Sequence, residues 1–246
     1  MKRLNWQILL GLSLITLSAV LYLIHYAIFR DAHHIILYLI GDIAFVPIQV
    51  LLVTLIIDQW LSRREKKAML KKLNMVIGAF FSEVGTELLK SFSQFDPHCD
   101  KIKKELIFTT DWPGKVFLRV RQSLKNYDYK IEIQRGDLED LRKFLIGKRN
   151  FLLGLLENPN LLEHESFTEL LWAVFHLSEE LAIRVDVRKL PETDYEHLAG
   201  DMKRAYAVLI SEWLAYMKHL QEDYLYLFSL AMRTNPFDPH ASPVVK

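Results

Sequence analysis

The sequence has little of what disulfide-stabilised, nucleic-acid-binding or catalytic proteins use. It contains one cysteine in 246 residues, which excludes an intramolecular disulfide and favours a reducing compartment. The formal net charge is +1, so the overall charge does not predict binding to nucleic acid. The sequence also lacks a glycine-rich phosphate loop, a nucleophile elbow, a His-Glu-x-x-His motif and a paired-cysteine zinc motif. We therefore expect neither an enzyme nor a cofactor.

Long apolar runs fill the first quarter of the chain. Residues 8–29 and 35–60 are almost entirely apolar, and roughly 20 such residues in a helix cross a hydrocarbon core of about 30 Å. The first run exceeds the about 7–15 apolar residues of a signal peptide, so we expect a retained anchor. Pro47 lies inside the second run and predicts a kink rather than an end, because neighbouring helices in a membrane can satisfy the carbonyl that proline frees.

Basic residues flank both outer ends of these two runs. Lys2 and Arg3 precede the first run, whereas Arg30 is the single lysine or arginine in the connection of residues 30–34. This asymmetry predicts an antiparallel hairpin in the cell membrane with both termini in the cytoplasm. The cluster after the second run can also bind anionic lipid head groups, at about 1 kcal/mol per basic residue. Its members are Arg63, Arg64, Lys66, Lys67, Lys71 and Lys72.

Asp42 is the most unusual residue of the apolar region. A carboxylate about 10 Å inside the hydrocarbon boundary costs about 2.5–3.5 kcal/mol on insertion scales, so it is a functional hypothesis by default. Gln49 lies seven residues later on the same helical face, and Tyr22 and His25 fall at a similar depth on the first span. We interpret these polar faces as contacts between helices or subunits. The alternatives are a proton- or ion-handling site built from Asp42 and His25, or a wrongly assigned depth.

Other histidines have spacings that occur in metal sites, but we predict no metal there. Helical di-metal sites use a Glu-x-x-His motif on two helices, and the sequence contains none. His33 and His34 lie in the turn, where solvation is favoured over metal binding or pH sensing. Ion-paired or solvated surface is likewise expected for three sets: His176 with Glu179; Asp194 with His197 and Asp201; and His219 with Glu222.

The rest of the chain has the pattern of a helical domain. Apolar residues recur every three or four positions through residues 73–95, and Asp96-Pro97 ends that pattern. Further helices are predicted after Asp111-Trp112-Pro113 and from Gly136-Asp137 to Glu157. Two capping boxes, Ser166 to Glu169 and Thr193 to Glu196, open two more helices.

Residues 129–133 are expected to be extended rather than helical. Tyr129, Ile131 and Ile133 alternate with polar residues, which predicts a short extended segment that residues 105–110 could pair with. The tail after Arg233 holds three prolines and no periodicity, and we expect it to be loose.

These patterns predict an all-α protein with an N-terminal two-helix transmembrane hairpin and a cytoplasmic helical bundle. The expected division is a hairpin in residues 1–60, a basic and amphipathic juxtamembrane helix in 61–95, a helical domain in 96–233 and a tail in 234–246. We expect residues from about 94 to 233 to fold without the hairpin. The expected function is a non-enzymatic membrane protein that binds lipids and presents an interaction or regulatory domain to a protein partner or to itself. The alternative is a subunit of an oligomeric channel or transporter.

Overall fold

A computed structural model of the protein describes residues 2–107, 112–159, 161 and 164–245. The described chain is 82% helical and contains no β-strand, which confirms the all-α class. It separates into two compact units, Met1–Lys66 and Lys67–Lys246. We describe each unit by itself.

The first unit consists of helix α1, Lys2–Phe29, and the first part of helix α2, Ala32–Phe80. Arg30 has a φ of 50° and links the two helices with Asp31. Asp31 Oδ1 accepts hydrogen bonds from the backbone N–H groups of His33 and His34 at 2.9 and 3.2 Å. Such a side-chain cap satisfies N–H groups that the first turn of a helix leaves unpaired. Helix α2 therefore starts within the predicted connection, and it continues through Pro47, as predicted.

Two segments of these helices, Ile8–Phe29 and Ala32–Glu65, are long and apolar enough to cross a membrane. The side chains of their most apolar windows are not buried against protein. Large apolar side chains that no protein surface covers are what a lipid-facing helix presents.

In the second unit, the predicted amphipathic helix of residues 73–95 is interrupted once. Helix α2 ends at Phe80, a π-helical turn spans Phe81–Gly85, and helix α3 runs from Thr86 to Phe95. Gly85 suits this turn because a Cβ there would lie 2.5 Å from Cδ1 of Phe81. The buried face of this segment includes Leu73, Phe80, Val84, Leu88, Phe92 and Phe95.

Residues 129–132 lie outside the helices and Glu132 is extended, but Ile133 begins a 3-10 turn, and the predicted strand pairing is wrong for the residues that the structure describes. Glu105 belongs to helix α4, Cys99–Leu106, so it is not a strand. Helix α5 spans Gly114–Lys125, and a 3-10 turn spans Ile133–Arg135. The alternation between Tyr129 and Ile133 reflects burial of these two side chains in the helical core. Of the proposed partner strand, residues 108–110 lie outside the described residues.

Four helices complete the second unit. Helix α6 begins after Asp137, as predicted, and the Asp137 side chain accepts hydrogen bonds from two backbone N–H groups. Both predicted capping boxes are wrong. His164 caps α7 by accepting from Phe167 N at 3.2 Å, and α8 follows Pro191 without a side-chain cap. The helices are α6 (Leu138–Leu156), α7 (Glu165–Ile183), α8 (Glu192–Asp223) and α9 (Leu225–Arg233).

Helix α8 is the centre of this unit and packs against α3, α5, α7 and α9. Helix α6 packs against α7. The tail after Arg233 was expected to be loose, but its first residues are part of the same core, where Asn235 and Phe237 are buried. Phe237 is buried with its ring 5.3 Å from the Trp213 ring, and the Asn235 side chain donates to Leu106 O at 2.8 Å. The first residues of the tail therefore pack against α4 and α8.

Candidate functional site

A cavity of about 610 Å³ lies between α1 and α2 in the first unit. Tyr22, His25 and Asp42 line it together, so the structure brings together three of the four polar residues that the sequence singled out. Gln49 is not among the described lining residues. The complete lining is Leu14, Leu17, Ser18, Leu21, Tyr22, His25, His34, Ile35, Tyr38 and Asp42.

Two aromatic residues of this cavity were missed by the sequence reasoning. His34, predicted to be solvated, lies with its ring centroid 6.2 Å from that of His25 and 4.6 Å from that of Tyr38. The signal that could have found them is spacing, because His34, Tyr38 and Asp42 follow one another at four-residue steps on one helical face. A carboxylate and two imidazoles around one apolar cavity can exchange protons or hold a cation. The same groups can equally hydrogen-bond a neighbouring helix.

The basic cluster after the second apolar segment is exposed where the structure describes it. Arg63, Arg64 and Lys72 are exposed, and the Arg64 guanidinium lies 5.7 Å from the centre of the Trp60 ring. The side chains of Lys66, Lys67 and Lys71 lie outside the described residues. A cation beside an interfacial tryptophan is a common arrangement at a membrane surface.

A second cluster of titratable side chains lies between α7 and α8 in the second unit. Asp201 Oδ2 is 3.4 Å from Nε2 of His176 and 3.4 Å from Nε2 of His197. Glu180 completes the cluster, with Oε2 3.7 Å from Nε2 of His197 and Oε1 3.9 Å from Nε2 of His176. The ligand atoms of His176, Glu180 and His197 lie within 4.8 Å of one another.

His197 lies beside Asp201, as the sequence suggested, but the other suggested pairs are replaced. Glu179 pairs with Arg149 at 2.6 Å rather than joining His176. Asp194 pairs with Arg184 at 2.6 Å, and His219 pairs with Asp223 at 2.8 Å. Glu180 was missed because only the three-residue spacing was considered for His176. His176 and Glu180 use the four-residue spacing that places side chains one above the other.

Burial and arginine contacts set the electrostatics of this cluster. The Asp201 side chain is only 5% exposed, and its Oδ2 has no hydrogen-bond donor within the described part of the chain. Arg204 Nη1 is 3.6 Å from the other carboxylate oxygen, Oδ1. Arg184 Nη1 lies 2.7 Å from Glu180 Oε2, and this hydrogen bond lowers the pKa of Glu180. The Glu180 carboxylate is therefore held as an anion next to the two imidazoles.

A third feature is a groove of about 630 Å³ between the end of α2, the end of α8 and α9. Its lining is mostly apolar and includes Gly78, Tyr216, Leu227 and Leu230. Next to it, Leu225 and Tyr226 on α9 are about 70% exposed. Contiguous exposed apolar side chains of this kind are typical of contact surfaces.

Comparison with known proteins shows where the chain belongs. Residues 2–61 match the family profile described as "MJ1433, N-terminal helical domain", and residues 69–233 match "Uncharacterized protein MJ1433, C-terminal helical domain". A protein of Methanocaldococcus jannaschii with the name "Uncharacterized protein MJ1433" is 47% identical over 234 residues, which cover 95% of this chain and 94% of that protein. The chain belongs to the MJ1433 family.

The two MJ1433 family profiles meet between residues 61 and 69, close to the division of the chain into units at Lys66 and Lys67. The cavity between α1 and α2 lies within the N-terminal helical domain of the family. The α7–α8 cluster lies within the C-terminal domain, and so does the groove except for Thr234. No solved structure matches the chain.

Proposed function

We propose that this protein is an integral membrane protein in which α1 and α2 anchor a helical domain that acts by binding rather than by catalysis. In this proposal both termini face the cytoplasm, and the basic residues after the second span contact anionic lipids. The observation that carries it is the pair of apolar helices, Ile8–Phe29 and Ala32–Glu65, whose side chains find no cover in the protein.

The energetic argument is direct. Transferring a large apolar side chain from water into an apolar medium gains about 1.5–3 kcal/mol. Residues such as Leu9, Ile15, Leu23, Ile40 and Ile56 are each more than 60% exposed. Water would therefore be an unfavourable surrounding for both helices, and lipid would be a favourable one.

The binding role is supported by the groove beside α9. We take a second copy of the chain as its occupant, since anchored proteins share one membrane plane and meet their own copies at high effective concentration. Leu227 and Leu230 in the groove supply the apolar contact area, and Leu225 and Tyr226 on the same helix are exposed beside it. Aromatic and aliphatic side chains at the centre of a groove are the residues that dominate contact energies.

Two measurements test this proposal. Full-length protein should remain with membranes after alkaline carbonate extraction, and in mild detergent it should run as a dimer or larger by light scattering. Leu230→Glu should weaken the self-association at least tenfold, because it places a charge in the apolar groove. Val185→Glu is the matched control, since Val185 is 94% exposed and lies outside the lining of the groove. Extraction by carbonate would contradict the anchor, and a strictly monomeric protein would contradict self-association.

The cavity between α1 and α2 favours a second candidate, an oligomeric channel or transporter subunit. Two helices of one chain cannot enclose a pore, so several copies would have to place Asp42 and His25 around a common axis. Protein reconstituted in liposomes would then show ion conductance. A monomer in detergent, or an oligomer without conductance, would remove this candidate.

A further inference from the structure

The α7–α8 cluster has a composition and geometry that ion pairing alone does not explain. Two imidazoles and two carboxylates converge from adjacent helices, one His and one acidic residue from each, at the same four-residue spacing. Asp201 Oδ2 is the deepest of these atoms. It is buried, lacks a hydrogen-bond donor among the described residues and lies at equal distance from both histidine Nε2 atoms.

We propose that His176, Glu180, His197 and Asp201 form a binding site for a first-row divalent transition metal, with Zn²⁺ as the best match. The site is new relative to the proposed anchoring function, and it lies entirely in the second unit. A buried carboxylate oxygen without a donor is costly. A cation between Asp201 and the two histidines would supply its missing partner.

The distances between Asp201 and the two histidines fit a metal centre. Zn²⁺ binds imidazole nitrogen and carboxylate oxygen at 2.0–2.2 Å, so neighbouring ligands of a tetrahedral ion lie about 3.3–3.5 Å apart. Both histidine Nε2 atoms are 3.4 Å from Asp201 Oδ2. The two contacts to Glu180, at 3.7 and 3.9 Å, are longer and involve different oxygens, Oε2 toward His197 and Oε1 toward His176. The Glu180 side chain therefore has to rotate to offer one oxygen to the ion.

The residues around the cluster have the roles expected of an outer shell. Arg184 holds Glu180 through Oε2 and leaves Oε1 toward His176, and Asp194 holds Arg184 in turn. Arg204 approaches Asp201 on Oδ1, the oxygen that faces away from the proposed ion. Ligating carboxylates are commonly fixed by such hydrogen-bonding partners.

The ligand types select the class of metal. Mg²⁺ and Ca²⁺ prefer ligand sets made only of oxygen, whereas imidazole suits zinc, copper, iron and nickel. His176 and His197 are each about half exposed, which leaves a path for the ion and room for a water ligand. The site would thus be open on one side.

The test uses full-length protein in detergent, purified without a histidine tag, stripped with a chelator and titrated with Co²⁺. We expect one Co²⁺ per chain with the visible absorption of a four- or five-coordinate ion. Zn²⁺ should displace it, because Zn²⁺ has no d-electron preference for a geometry and binds four-coordinate sites of histidine and carboxylate ligands. Mg²⁺ should not compete. Absence of a stoichiometric Co²⁺ signal in wild type would overturn the proposal.

Variants locate the ion. His197→Gln should weaken Co²⁺ binding at least about 100-fold, because loss of a ligand costs at least as much as loss of an outer-shell partner. Asp201→Asn should weaken it similarly while keeping the shape of the side chain. His219→Gln is the matched control, since His219 and Asp223 form a histidine–carboxylate pair with the same spacing on the same helix. It should bind as wild type does.

The outcomes are separable even if one variant fails to fold. Circular dichroism checks that each protein is folded. If Asp201→Asn is unfolded, the His176→Gln and His197→Gln variants test the metal site, because both change exposed side chains. Equal Co²⁺ binding by wild type and His197→Gln would show adventitious binding and overturn the site. So would a loss in His219→Gln as large as that in His197→Gln.

Discussion

At the scale of single residues, Asp96 is a carboxylate that is buried although the charged form is more favourably solvated by water. Its side chain is buried at the end of α3, where Oδ1 accepts a hydrogen bond from His98 N at 2.8 Å. The other oxygen has no donor among the described residues, and burial raises the pKa of this carboxyl. A raised pKa in the folded state means that the ionised form is disfavoured there. At neutral pH the charge therefore lowers stability, and this penalty disappears as the pH falls through the raised pKa.

This sign gives a pH-dependent prediction. Asp96→Asn keeps an oxygen for His98 N but removes the buried charge, so it should unfold at the same or a higher temperature than wild type at pH 7. The difference should shrink as the pH is lowered through the raised pKa, because the wild-type carboxyl then gains its proton. Thermal unfolding of both proteins across this pH range measures it. A variant that is less stable at pH 7 and equal below the raised pKa would contradict the sign.

Asp42 allows a second test at this scale. If it joins helices or subunits, Asp42→Asn keeps hydrogen-bonding capacity and removes a charge that is costly in lipid. The variant should then assemble at least as well as wild type, whereas Asp42→Leu should weaken assembly. Light scattering in detergent measures both. An Asp42→Asn protein that assembles normally but has lost an ion- or pH-dependent activity would instead favour the channel candidate.

At the scale of elements, periodicity predicted the long helices and missed what depends on contacts distant in sequence. The apolar spacing of residues 73–95 and the turn at Gly136-Asp137 are local signals, and both correspond to the structure. Helix α4 was missed because its eight residues carry only Ile102 and Leu106 as large buried aliphatic side chains. The cluster of Glu180 with His197 was missed because its partners come from two helices.

The core of the second unit includes residues before 94, and this changes the expected boundary of the part that folds by itself. A fragment of residues 94–233 lacks Leu73, Phe80, Val84 and Leu88, which are all almost fully buried. Each contributes about 1.5–3 kcal/mol, a sum comparable with the total stability of about 5–15 kcal/mol of a typical domain. We expect residues 67–246 to unfold cooperatively by circular dichroism and residues 94–233 not to. Cooperative unfolding of the shorter fragment would show that this face is dispensable.

At the scale of the whole molecule, the proposed orientation follows from charge asymmetry around the two apolar segments. A reporter that is active only in the cytoplasm, fused after Lys246, should be active, and one that requires export should not. Replacing Arg63, Arg64, Lys66 and Lys67 together by Gln should reduce this preference. Activity of the exported reporter on the wild-type protein would refute the orientation and would weaken the argument for a reducing environment around Cys99.

Cys99 has a practical consequence for following the molecule in solution. It is the only thiol in the chain, it is 5% exposed, and burial raises its pKa. A thiol reagent reacts with the exposed thiolate, so labelling must wait for α4 to open. When closing is faster than labelling, the ratio of the rates in denatured and native protein gives the opening equilibrium, with 1.4 kcal/mol for each tenfold of protection. The wild-type sequence thus carries a single-site kinetic probe of its second unit, readable in detergent or in lipid without any engineered label position.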